Sequence, residues 1–65
     1  MLTANVHFLE RRNRWGGMDV HEFRVRGESV TVVSRIGRSR KFETMGREAA
    51  RALYASLKRQ GFRRW

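Results

Sequence analysis

The sequence predicts a small α+β domain: an antiparallel β-sheet of three to four strands with one C-terminal helix packed on one face. Three observations predict it. Stretches of alternating apolar and polar residues fill most of positions 2–43, separated by turns that contain glycine. Beyond Thr44 the apolar period changes from two residues to that of a helix. The chain is 65 residues long, which leaves room for one domain and no second.

The elements follow in order. Leu2, Ala4, Val6 and Phe8 alternate with Thr3, Asn5 and His7, the pattern of a half-buried first strand. Arg11-Arg12-Asn13-Arg14-Trp15-Gly16-Gly17 breaks that pattern and reads as a basic loop ending in a Gly-Gly turn. Met18 to Arg26 is the second strand. Met18 and Val20 fall in one phase and Phe23 and Val25 in the other, so a bulge or bend is expected near His21–Glu22. Gly27-Glu28 suits a two-residue hairpin turn, with glycine supplying positive φ.

Ser29 to Ile36 is the third strand: Val30, Val32 and Ile36 face one way, and Thr31, Val33 and Arg35 the other. Its β-branched residues predict that it lies at the sheet centre. Gly37-Arg38-Ser39-Arg40 is a second turn, and Lys41-Phe42-Glu43 a short fourth strand. Thr44 is the expected N-cap of the helix, with Glu48 near the positive end of its dipole. Ala49, Ala50, Leu53, Tyr54 and Leu57 form one apolar stripe, and Arg47, Arg51 and Lys58 cluster on another face. Gly61 suits the position after the helix end, where Phe62 would contact Leu57 in a Schellman arrangement. Arg63-Arg64-Trp65 is a short basic aromatic tail.

Composition excludes several functions. Without Cys there is no disulfide framework, thiolate zinc site or cysteine nucleophile. Apolar runs of two or three residues are too short for a membrane-spanning helix, and the first residues carry no basic and apolar leader pattern. The expectation is a soluble, cytoplasmic protein. A domain this small buries only about 60% of its unfolded surface, and without staples its core supplies roughly 3–5 kcal/mol. Hydrophobic residues at 40% still favour a folded chain over a disordered basic tail.

Charge is the strongest functional signal. Fifteen cations, thirteen of them Arg, face six acids, a net charge of +9. Residues 1–34 carry only +1 of it, and residues 35–65 carry +8. Such a field steers polyanions, and the planar Arg fork matches phosphate, whereas Lys would suffice for solubility. Arg35, Arg38, Arg40 and Lys41 are expected on the free sheet face or its rim, beside the helix start and the helix cations Arg47, Arg51 and Lys58. Together they would grip successive phosphates. Arg11, Arg12, Arg14 and Trp15 form a second candidate, with Asn13 able to read adenine and Trp15 able to stack. Phe8, Phe23 and Phe42 read as core residues rather than a stacking platform.

Catalysis has little support, and no catalytic residue, metal site or cofactor is expected. His7 and His21 lack a nucleophile or a second ligand at motif spacing. Surrounding Arg would keep the scattered carboxylates ionised, against general-acid duty.

From the second strand onward, the chain resembles a WGR domain. The resemblance rests on Val33-Ser34-Arg35-Ile36-Gly37-Arg38, then Lys41-Phe42-Glu43-Thr44, then Glu48-Ala49 through Leu57, then Gly61-Phe62, and spans about residues 20–62. Val33 and Ser34 stand where the family has Trp and Gly, and Arg35 is retained. The resemblance implies a sheet-plus-helix fold, a part in nucleic-acid transactions, and a backbone or interdomain contact by Arg35. The order is also similar to the arm-binding domain of tyrosine recombinases, whose sheet enters the major groove. The reading is a non-catalytic nucleic-acid-binding module, monomeric or a weak homodimer. The alternative is an adaptor that docks on an acidic protein through its Arg, with Tyr54, Phe62 and Trp65 as anchors. Membrane-surface binding is disfavoured because the helix needs its apolar stripe for the core.

Overall fold

The computed structural model describes residues 5–64. In chain order the elements are β1 (Val6–Arg12), β2 (Met18–Arg26), β3 (Ser29–Ile36), β4 (Ser39–Gly46), α1 (Arg47–Arg59) and β5 (Arg63–Arg64). The strands form one antiparallel sheet in the order β4-β3-β2-β1-β5. The expected α+β architecture is present, with five strands rather than three or four. The fifth arises where Arg63 and Arg64 pair with Glu10 and Leu9. This sheet order places β2 at the centre, not β3.

The Gly27-Glu28 turn has the expected form, whereas the second turn is two residues rather than four, because Ser39 and Arg40 already pair with Ile36 and Arg35. Gly27 (φ +58°) and Gly37 (φ +61°) each open a two-residue connection, between Arg26 and Ser29 and between Ile36 and Ser39. Only glycine adopts that φ without strain, and the resulting twist matches that of the flanking strands. The helix also ends as expected. Gly61 has φ +100°, its N–H donates to the Lys58 carbonyl, and the Phe62 N–H donates to that of Leu57. These are the two bonds of a Schellman motif, and Phe62 joins Leu57 in the core.

Other boundaries differ. β1 begins at Val6 and includes Arg11 and Arg12, which the sequence placed in a loop; Leu2 and Ala4 lie outside the described residues. No bulge interrupts β2, whose register is continuous against both neighbours. The apparent phase change has another cause: Phe23 and Val25 point to the helix, whereas Met18 and Val20 lie on the other face. β4 runs eight residues, through Thr44 and Met45, because these pair with Thr31 and Val30. Thr44 is therefore a strand residue, 3.4 Å from the Thr31 hydroxyl. The N-cap is Gly46, with no side-chain cap.

The main core cluster lies between the sheet and α1, and Val33 is buried apart from it on the other face. Leu9 from β1, Phe23 from β2, and Val30 and Val32 from β3 meet Ala50, Leu57 and Phe62. Leu53 and Tyr54 flank them, with the Tyr54 ring edge-on to Phe23 at 5.4 Å. Ala50, Leu53, Tyr54 and Leu57 keep the i, i+3, i+4, i+7 spacing of a buried helical stripe. Ala49 is exposed, so it does not belong to the stripe.

Candidate nucleic-acid interface

Strand side chains alternate between faces, so the register assigns each residue to the helix side or the free side. Phe23 and Val32 face α1. Arg12, Arg24, Arg26, Arg35, Arg40 and Arg63 therefore lie on the free face, accompanied by two acids, Glu10 and Glu22. One cross-strand row reads Arg40, Arg35, Val20, Glu10, Arg63 across all five strands. The adjacent row reads Phe42, Val33, Glu22, Phe8.

Val33 is only 2% exposed although the helix is on the other side, whereas Phe42 at the sheet margin is 59% exposed. Glu22 is largely buried and accepts a 2.6 Å hydrogen bond from Arg24 Nε, the single ion pair among the described residues. The face thus keeps a large uncompensated positive charge with an aromatic ring in the open. A shallow depression lined by Val6, Arg24, Arg26, Gly27, Ser29 and Thr31 extends it toward the β2–β3 turn.

One end of the sheet is organised around Asp19, which is 7% exposed. Its Oδ1 accepts hydrogen bonds from Asn13 Nδ2 at 3.2 Å and from the Gly37 backbone N–H at 3.3 Å. Asn13 Oδ1 in turn accepts from the backbone N–H groups of Trp15 and Gly17, both at 3.0 Å. A buried carboxylate and one amide side chain thereby fix the β1–β2 loop and tie it to the β3–β4 turn. The Arg14 guanidinium lies 5.6 Å from the centre of the Trp15 ring, and Trp15 is 80% exposed. The loop that carries Arg14 and Trp15 and the turn that carries Arg38 consequently lie at the same end of the sheet, a placement that sequence separation concealed. The signal for it was Asp19, a carboxylate on a strand otherwise read only for its apolar phase.

The expected composite site is divided. Arg38, Arg40 and Lys41 do not sit beside the helix start, because they lie at or before the first residues of β4 and the strand runs on to Gly46 before α1 begins. Arg35 and Arg40 are on the free face, whereas Lys41 pairs opposite Ser34 on the helix side. Arg47, Arg51 and Lys58 are exposed along one flank of α1, on that same side.

Arg12 faces the free side. Arg11 does not join it: its guanidinium stacks on Phe62, 4.4 Å from the ring centre, and donates to the Gln60 carbonyl at 2.8 Å. Arg11 therefore clamps the helix C-terminus, where a cation meets the negative end of the dipole. Phe23 is core as expected; Phe42 is not, and Phe8 shares its face. Among the adaptor anchors, Phe62 is buried, Tyr54 is half-buried, and Trp65 lies outside the described residues.

His21 sits on the helix side, its Nδ1 2.8 Å from Ser34 Oγ and its ring edge-on to Phe62. Burial pushes its pKa below the usual 6.5; Asp19 acts in the opposite direction and Arg11 adds to the lowering. No group of three or more His, Cys, Asp or Glu able to hold a metal occurs among the described residues. No helix among them is long and apolar enough to cross a membrane. No family model, curated protein or solved structure matches the chain.

Proposed function

We propose that the chain is a non-catalytic nucleic-acid-binding module that engages the phosphate backbone with the helix-free face of its sheet. The observation that carries this reading is the row Arg40–Arg35 on a face with six Arg against two Glu, beside the exposed Phe42 ring. Guanidinium forks bond phosphate oxygens in pairs, and this contact carries no sequence information by itself. Phe42 and Trp15 offer ring faces on which unpaired bases can stack. Arg38 and Arg14 extend the positive surface at the tip fixed by Asp19. The resemblance to WGR domains and to the recombinase arm-binding sheet supports the same class of ligand.

Titration with duplex DNA, single-stranded DNA and RNA at several salt concentrations tests this. Arg35→Ala and Arg40→Ala should each weaken duplex binding similarly for all sequences and reduce the log–log salt slope by about 0.9. Arg51→Ala, on the helix side, should leave both affinity and slope unchanged. The absence of a salt slope, or a larger loss from Arg51→Ala than from Arg35→Ala, would reject the assignment. The adaptor reading keeps one supporting observation, the exposed Trp15 with Arg14 beside it, a pair favoured at protein interfaces. Cellular partners that survive nuclease treatment would favour that reading.

A further inference from the structure

The sheet ends at β4, and no strand among the described residues covers its outer edge. β4 is eight residues long and exposed at seven of them, with Met45 half-buried. The other margin differs, since β5 covers Leu9 and Glu10. A long open edge presents unpaired N–H and C=O groups to any chain that can dock on it.

The hydrogen-bond phase of that edge follows from the hairpin. A two-residue turn makes Ile36 and Ser39 a bonded pair, so Ser39, Lys41, Glu43 and Met45 direct their backbone groups toward β3. Arg40, Phe42 and Thr44 direct theirs outward. A second copy of β4 can therefore add antiparallel about a two-fold axis, with even-numbered residues opposite even-numbered residues.

Charge then selects among the registers. Centring on Arg40 sets that residue against itself. Centring on Lys41 or on Glu43 opposes like charges at the closer, non-bonded spacing, where repulsion is strongest. Centring on Thr44 pairs no charges. Centring on Phe42 sets Lys41 opposite Glu43 of the second copy, and by symmetry does so twice. Neither side chain has an ion-pair partner within the chain among the described residues. The same register places Arg40 opposite Thr44 and the exposed Phe42 ring opposite its counterpart on the free face. The charges that would ordinarily guard an edge strand here reject the wrong registers and favour one.

We propose that the chain self-associates edge to edge through β4, in the antiparallel register centred on Phe42, joining two sheets into one of ten strands. The proposal does not depend on nucleic-acid binding and is tested without any.

Analytical ultracentrifugation of the full chain, up to millimolar concentration, should show a dimer of twice the 7.7 kDa monomer mass. Lys41→Glu and Glu43→Lys should each raise the dissociation constant about tenfold, because each replaces two attractions with two repulsions. The double exchange should return it close to the parent value. The two single variants change net charge in opposite directions, so general repulsion between basic chains would move them oppositely rather than alike. Both positions are exposed, and their cross-strand neighbours within the chain are Ser34 and Val32, so circular dichroism should be unchanged. A monomer at every concentration, a dimer indifferent to the single exchanges, or a double exchange that fails to restore pairing would each overturn the proposal.

Discussion

Individual side chains in this protein often serve the scaffold where their chemistry suggested contact with a ligand. Arg11 is the clearest case. As a member of an Arg-Arg pair it looked like a phosphate contact, but the strand turns it to the helix side, onto Phe62 and the Gln60 carbonyl. Nothing local in the sequence distinguishes it from Arg12; only the strand phase does, and that required knowing that Leu9 points into the core. His21 is a half-buried polar group with a measurable consequence. Its pKa is lowered in the folded state, so between that value and 6.5 the unfolded chain binds more protons. The stability associated with neutral His21 is complete above the unfolded value and declines as pH falls through this window. Urea midpoints measured from about pH 7.5 down to about pH 5 should decrease, and His21→Gln should flatten the part of the decline due to this side chain. An equally steep decline in the variant would assign it elsewhere.

At the scale of elements, the end of α1 was legible and its beginning was not. Gly61 and Phe62 carry a local signal with one stereochemical solution, and the apolar stripe from Ala50 to Leu57 has a period no strand shares. The start failed because Thr44 is a good cap in isolation, yet cross-strand pairing with Thr31 keeps it in β4. The first strand runs further than expected for a similar reason: its charged end, Arg11 and Arg12, looks like a loop in sequence yet pairs with Asp19 and Met18. The true cap suggests an improvement. Gly46 has an ordinary φ of −72°, no side-chain cap, and open space where a Cβ would be. Gly46→Ser should stabilise the fold by about 0.5–1 kcal/mol, through a cap bond and a less flexible unfolded chain. Thermal melts should show a rise of roughly 3–6 °C. A fall would mean that the helix entry needs the freedom of glycine.

At the scale of the whole molecule, the sheet divides the charge that the sequence presents as one cluster. The +8 carried by residues 35–65 is shared between the free face and the flank of α1, since alternate residues of one strand point to opposite sides. Such partition depends on register and sheet order, which no window of sequence contains. With one ion pair among the described residues and a net charge of +9, repulsion outweighs attraction. Added salt should therefore raise the melting temperature until repulsion is screened, within about 0.1–0.2 M sodium chloride. A melting temperature that falls with salt would reveal attractions that the fold does not display.

The main apolar cluster lies on the helix side, and on the free face Val33 and Glu22 are the buried residues. Arg12, Arg35, Arg40 and Phe42 can be exchanged in combination while Val33 and Glu22, the well-covered residues of that face, are held constant. The two faces of one sheet thus carry different duties: one holds the helix in place, and the other leaves charged and aromatic side chains open to solvent.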